Sequence, residues 1–281
     1  MNGVVVNESL RLPEESMSAL LFEKDGPIAV LTINRPEQRN PLGEPGDAER
    51  FSSAAQRINE DREIRCAILT GAGAAFSAGG NLKAMRERAG AFSGGAAQIR
   101  EGYRAGIHRI IRALWGIEVP LIAAINGPAI GLGNDVACLA DIRISADNAV
   151  FGATFLKVGL VPGDGGAWIL PRVIGQSRAA ELFFTADTID AQTALAWGLV
   201  SRLAGPDKLM EEAHALAGRI CRQPPDVLRM TKRLMREAQM GSFESIMEMS
   251  AAMQALAHTT SDHQEALAAF FEKRPPQFKG Q

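Results

Sequence analysis

Two acids and two glycine loops are the parts of this sequence whose residue types and spacing could do chemistry. Asp135 follows Gly131-Leu132-Gly133 at what reads as the start of a small-residue helix. The apolar run 121–125 ahead of it has strand length, and Asn126-Gly127-Pro128 ends that run with turn chemistry. Glycines at a helix start leave backbone N–H groups that a ligand oxygen can approach without meeting a Cβ, and the helix dipole favours negative charge there. A second glycine-rich loop, 71–83, follows the buried-strand pattern of 66–70 and offers the same kind of donor. Such a pair suits acyl chemistry, because a thioester or ester carbonyl gathers negative charge as it becomes an enolate or a tetrahedral species. Each well-aimed donor contributes roughly 3–4 kcal/mol.

Asp135 would complement the first turn of its helix in any case, so position alone leaves open whether it caps or catalyses. Asp164, in Pro162-Gly163-Asp164-Gly165-Gly166, is equally a turn residue or a carboxylate whose pKa an apolar pocket would raise toward that of a general acid. Other chemistries lack their residues. Gly71-Ala72-Gly73 has Phe76 where a dinucleotide fingerprint needs a small residue, and no Gly-Lys-Ser/Thr follows. The stretch 75–79 lacks the first glycine of a nucleophile elbow. His108, His214, His258 and His263 fall in helical patterns without metal-ligand spacing, read here as solvated faces. The expected chemistry therefore needs neither metal nor resident cofactor.

Five stretches together resemble the crotonase, or enoyl-CoA hydratase/isomerase, superfamily of acyl-CoA enzymes. They are Asn34-Arg35-Pro36 with Asn40-Pro41-Leu42, the 75–85 loop, the 126–141 stretch, 159–166 and the ending 269–274. The resemblance implies an α/β fold, the spiral of strand–strand–helix units of the ClpP/crotonase type, with C-terminal helices that build trimers, commonly stacked in pairs. It places Asp135 where hydratases of the family carry the first of two catalytic glutamates, and it makes the backbone N–H groups of Gly80 and Leu132 the thioester-oxygen donors. It also places Ala78, Asn81 and Leu82 along the CoA and pantetheine path, Arg39 near the adenine or phosphates, and Phe270 and Lys273 at a neighbouring subunit's CoA site. No cofactor beyond the CoA moiety of the substrate is implied. At the second glutamate's place stands Phe155, which favours single-acid proton transfer such as double-bond isomerisation unless Asp164 supplies the missing group. Hydration of a 2-enoyl-CoA is the leading expectation, with a noncatalytic or RNA-binding relative as the alternative of another class.

The elements that must hold these residues follow from periodicity. Runs 19–24 and 28–34 flank Asp25-Gly26 as a hairpin, and 45–62 carries Phe51, Ala54, Ala55 and Ile58 at helical spacing. A glycine- and alanine-rich segment, 89–97, lacks periodicity and reads as a mobile lid before a single helix over 99–117. After short strands at 142–145 and 149–151 the pattern turns helical, and 242–257 and 262–273 carry apolar residues on more than one face, including Met247, Met249, Met253 and Leu256. Such faces suit an oligomer contact.

At 281 residues, 46% hydrophobic and 22% charged, the chain can bury one sizeable core. The expected division is a flexible 1–16, a spiral core over 17–205 and a helical trimerisation region over 206–281. Net charge −2 gives no field to attract nucleic acid or an anionic membrane. Three cysteines without short paired spacing suggest neither disulfides nor zinc, and no apolar run reaches the ~20 residues of a membrane span. Without a signal-like N-terminus, the expected place is the cytoplasm.

Overall fold

The computed structural model describes residues 19–281, so the expectation of a flexible 1–16 lies outside the described residues. The Asp-Gly hairpin forms as read: β1 (Leu20–Asp25) and β2 (Ile28–Ile33) pair antiparallel with Leu20 opposite Ile33. Next come β3 (Pro41–Leu42), α1 (Asp47–Glu60), β4 (Cys66–Gly71), β5 (Gly79–Gly80) and α2 (Leu82–Glu87). They are followed by α3 (Ala96–Ala105), α4 (Ile107–Trp115), β6 (Leu121–Ile125), β7 (Ala129–Ile130), α5 (Leu132–Leu139), β8 (Ile142–Ala146) and β9 (Val150–Gly152). The chain continues through α6 (Gly166–Ile174), α7 (Gln176–Thr185), β10 (Thr188–Asp190), α8 (Ala191–Trp197) and β11 (Arg202–Ala204). It ends with α9 (Leu209–Cys221), α10 (Pro225–Glu237), α11 (Phe243–His258) and α12 (Ser261–Glu272).

A six-stranded sheet in the order β1-β2-β4-β6-β8-β11 forms the centre, parallel from β2 to β11. Both faces of its inner strands are buried, as a parallel sheet requires. Along β4, Ala67 and Leu69 face the larger core while Cys66 and Ile68 face a smaller one; β6 alternates likewise, with Leu121, Ala123 and Ile125 against Ile122 and Ala124. The smaller core is closed by Leu209, Ala213, Leu216, Ala217 and Cys221 of α9. Burying one such aliphatic side chain contributes about 1.5–3 kcal/mol. The boundary expected at 206 therefore does not separate α9 from the sheet: this helix belongs to the core.

Two further expectations change. The single helix over 99–117 is broken at Gly106 into α3 and α4, because Gly106 leaves helical geometry at φ −103°, ψ −95°. Within the segment read as a lid, residues Gly90–Phe92 form a 3-10 turn. It docks closely on α3, where a Cβ on Gly102 would collide with the carbonyl oxygen of Ala91. The remaining helices match their sequence patterns to within a few residues, but α11 buries no residue within one chain.

Candidate active site

The first glycine loop is held in place by two asparagines. Asn40, fully buried with φ +57°, donates through Nδ2 to the carbonyls of Ala72 (2.8 Å) and Ala75 (2.7 Å) and accepts from the Arg35 N–H at 2.8 Å. Asn126 accepts from the Gly71 N–H at 3.1 Å and donates to the Gly73 carbonyl at 2.8 Å. Buried backbone carbonyls in a loop need such donors, and these amides supply them in the absence of a ladder.

The loop is also joined to the second glycine element. Ser77 N–H donates to the Pro128 carbonyl at 3.1 Å and Ile130 N–H to the Ser77 carbonyl at 3.0 Å. A Cβ on Gly133 would collide with the Ser77 carbonyl, and one on Gly79 would lie 2.5 Å from the Ile130 oxygen and 3.4 Å from the Leu132 nitrogen. Glycine at both places is what allows the strand–turn of residues 79–80 to lie against the start of α5. Leu132 is the first residue of that helix, so its N–H has no intrahelical acceptor, and Gly80 lies one residue beyond the Gly79 contact. The structure thus brings the two loops together, while the Leu132 side chain is buried in the main core with Phe155.

Asp135 sits in the first turn of α5, 1% exposed, with neither carboxylate oxygen hydrogen-bonded. Burial drives its pKa well above the ordinary 3.8, and the charge of Asp164 pushes in the same direction. Asn134 and the Gly166 N–H lie close enough to oppose this in part, but neither reaches hydrogen-bond geometry with it. Gly166 opens α6, and a Cβ there would collide with the Asp135 carboxylate. Adjacent Asn134 is itself fully buried with no partner for its side-chain amide. Unpaired buried polar groups cost stability, so four such atoms on consecutive residues mark a place built for something other than folding.

Asp164 is 5% exposed rather than turned to solvent, and burial raises its pKa to about 6, with His108 pulling it down. His108 corrects the reading of a solvated histidine: it is half-buried, and its Nε2 lies 2.8 Å from the Gly163 carbonyl, the oxygen accepting. Tyr103 packs edge-on against His108 and Phe92, and burial together with the Asp164 charge raises its pKa. Sequence reasoning missed Tyr103, although it is the only tyrosine in the chain. It also missed the His108–Gly163 contact, which spans 55 residues and leaves no local signal. Phe155 is 9% exposed and lies 3.9 Å from where a Gly131 Cβ would stand, an apolar neighbour to the helix start.

Beside Gly80, whose Cβ would touch Met85, a cavity of 450 Å³ is lined by Leu82, Met85, Phe92, Ile99, Tyr103 and Leu160, among others. Asn81 caps α2 by accepting from the Ala84 N–H, and Leu82, 58% exposed, follows it. The Ala78 N–H donates to the Arg39 carbonyl at 2.8 Å, and the Arg39 side chain is exposed. Phe270 and Lys273, at the end of α12, are exposed in a single chain. Among the described residues no group of three or more His, Cys, Asp or Glu side chains could hold a metal ion. Among the described residues no helix is long and apolar enough to cross a membrane.

Comparison with known proteins agrees with this fold. The sequence model of the family described as Enoyl-CoA hydratase/isomerase matches residues 23–281. The crotonyl-CoA hydratase of Syntrophomonas wolfei is 34% identical over 260 residues, covering 92% of this chain and 97% of that protein. The 1,2-epoxyphenylacetyl-CoA isomerase of Escherichia coli is 32% identical, covering 94% and 99%. Among solved structures, an enoyl-CoA hydratase from Bacillus anthracis superposes with a TM-score of 0.87 at 32% identity, covering 94% of this chain and 100% of that one.

Proposed function

The chain belongs to the enoyl-CoA hydratase/isomerase family, and on that premise we propose that it adds water across the double bond of a 2-enoyl-CoA with Asp135 and Asp164 as its proton-handling pair. The observation that carries this reading is the bare, buried Asp135 carboxylate within reach of the Asp164 charge, in the helix whose first residue lies against Gly79. Two carboxyls sharing a dry site do not both ionise readily. Burial raises both carboxyls, Asp164 to about 6 and Asp135 well above 3.8, and we assign the proton of the pair to Asp135 and the role of base to Asp164.

In the hydration direction, the Asp164 carboxylate takes a proton from water as the water oxygen bonds to the β-carbon. The electron pair of the double bond moves onto the thioester oxygen, and the Gly80 and Leu132 N–H groups stabilise that enolate. Asp135 then delivers its proton to the α-carbon as the carbonyl re-forms, and the proton on Asp164 returns to Asp135, directly or by exchange through solvent, which restores the pair. No cofactor beyond the CoA moiety takes part. Along the CoA path we assign Arg39, Ala78, Asn81 and Leu82, with Phe270 and Lys273 arriving from a neighbouring copy.

Phe155 supports a second reading, double-bond isomerisation by Asp135 alone, since it puts an aromatic ring where the family's second acid would stand. Incubation with a panel of enoyl-CoA thioesters in heavy-oxygen water separates the two. Hydration gives products carrying the heavy oxygen; isomeric products without it would overturn the two-acid scheme.

The assembly we assign is a homotrimer or a dimer of trimers in the cytoplasm. Supporting it, α11 is unburied in one chain, with Phe243 75%, Met247 51% and Leu256 61% exposed. Sedimentation at micromolar concentration checks this, and a stable monomer would sink it.

A further inference from the structure

Arg100 and Arg104 on α3, and His108 and Arg112 on α4 beyond the break at Gly106, are two pairs at the four-residue spacing that puts side chains on one face of a helix. All four border a second cavity, of 480 Å³, whose opposite wall is Leu160 and Val161. Val161 is 76% exposed and Leu160 36%, so an apolar surface faces a cationic one across open space. The chain as a whole is slightly acidic, so this concentration of positive charge is local. Arg104 has only exposed Glu101 beside it, at 3.4 Å, and among the described residues neither Arg100 nor Arg112 has a carboxylate within ion-pair distance.

The position of this chamber relative to the acids gives it meaning. Tyr103 and Leu160 border both it and the 450 Å³ cavity beside Met85 and Gly80, so the two spaces are neighbours on either side of those side chains. The cation that acts on Asp164 is His108, and Arg112 lies one helical turn further along α4. An acyl chain whose carbonyl sits at the Gly80 and Leu132 donors would run past Met85 and Tyr103 and end here. An uncharged end would gain only Leu160 and Val161. A carboxylate at that end would meet planar, always-charged forks suited to paired hydrogen bonds.

We propose that the arginine-lined chamber receives the distal carboxylate of the acyl group, so that the preferred substrates are CoA thioesters of ω-carboxy acids. The proposal rests on the reading of the protein as an acyl-CoA enzyme and adds the class of acyl group.

Affinity for unreactive saturated thioesters tests it apart from any chemistry. Adipoyl-CoA and hexanoyl-CoA share a chain length and differ in the terminal carboxylate; free CoA is the third arm, each titrated by calorimetry against the whole protein. The expected result is tighter binding of adipoyl-CoA by about tenfold or more at low salt, the effect of one charge-assisted hydrogen bond, shrinking as salt rises. The double variant Arg100→Gln, Arg112→Gln should erase that preference and leave hexanoyl-CoA unchanged. Equal affinities in the unaltered protein overturn the proposal while leaving the acyl-CoA reading intact. Equal weakening of all three ligands overturns it too, by assigning the arginines to the CoA phosphates, as does a change of sedimentation in the variant, which makes them a contact between copies. Binding of none of the three would remove the acyl-CoA reading itself.

Discussion

Asp135 in the first turn of α5 and Asp141 just beyond its last turn are the same side chain at opposite ends of one helix, and the fold treats them in opposite ways. Asp141 accepts from the Leu121 N–H at 2.7 Å and faces Lys232 Nζ at 2.7 Å and Arg236 Nη2 at 3.6 Å. Lys232, 5% exposed, also donates to the Val119 carbonyl at 2.6 Å; burial lowers its pKa to about 8, against the pull of Asp141. This end ties α10 to the sheet. Asp135 is buried more deeply and is left without a hydrogen bond. Residue type and a place at a helix end therefore do not distinguish a structural acid from a chemical one. The distinction lies in whether the lone pairs are satisfied, because an unpaired carboxylate in a dry site keeps the raised pKa that proton transfer needs.

Exchanging each acid for its amide sets the comparison at risk. Asp135→Asn should lower turnover by ~10²–10⁴-fold, the contribution of a positioned acid or base. It should leave the melting temperature no lower, since the group removed was unpaired. Steady-state rates and thermal melts of the same preparation check both halves. Near-normal turnover would return Asp135 to the role of a helix cap.

Asp141→Asn should show the mirror image. Removing one partner of a buried ion pair costs roughly 3 kcal/mol, the low end of the range because Asp141 keeps 22% of its side chain exposed. Turnover per folded molecule should hold. Urea titration alongside active-site counting would read this, and a large fall in turnover at unchanged stability would erase the contrast between the two ends.

How much of this was legible depended on distance along the chain. The hairpin at Asp25-Gly26 announces itself through local alternation about a turn, and strand Leu121–Ile125 through an apolar run ended by turn residues, and the structure reproduces both. Asp135 was visible through the glycines before it. The break at Gly106 was not, because isoleucines continue the helical period across it and one glycine inside such a pattern is usually tolerated. Nor could the sequence decide where Asp164 pointed: its burial depends on Tyr103 and His108, which lie more than fifty positions away and carry no motif. The lone-pair difference between Asp135 and Asp141 was equally out of reach, since Lys232 and Arg236 reach Asp141 from α10.

Asp164 offers the smallest effect, and its sign is the informative part. Its folded-state pKa of about 6 stands above the ordinary 3.8, so the folded protein holds this proton more tightly than the unfolded chain does. The stability it contributes is complete below about pH 4 and is lost as pH rises through about 6. Asp164→Asn, which never ionises, escapes that loss. Its unfolding free energy should match that of the unaltered protein near pH 4, then exceed it increasingly up to about pH 6 and hold level above, by an amount on the order of 2 kcal/mol, read by urea titration across that pH range. The same ionisation makes Asp164 the base toward water, so hydration by the unaltered protein should rise through about pH 6, while in the variant hydration is lost and α-proton exchange into heavy water persists. A stability difference independent of pH, or exchange lost together with hydration, would separate Asp164 from Asp135 and leave Asp135 to work alone.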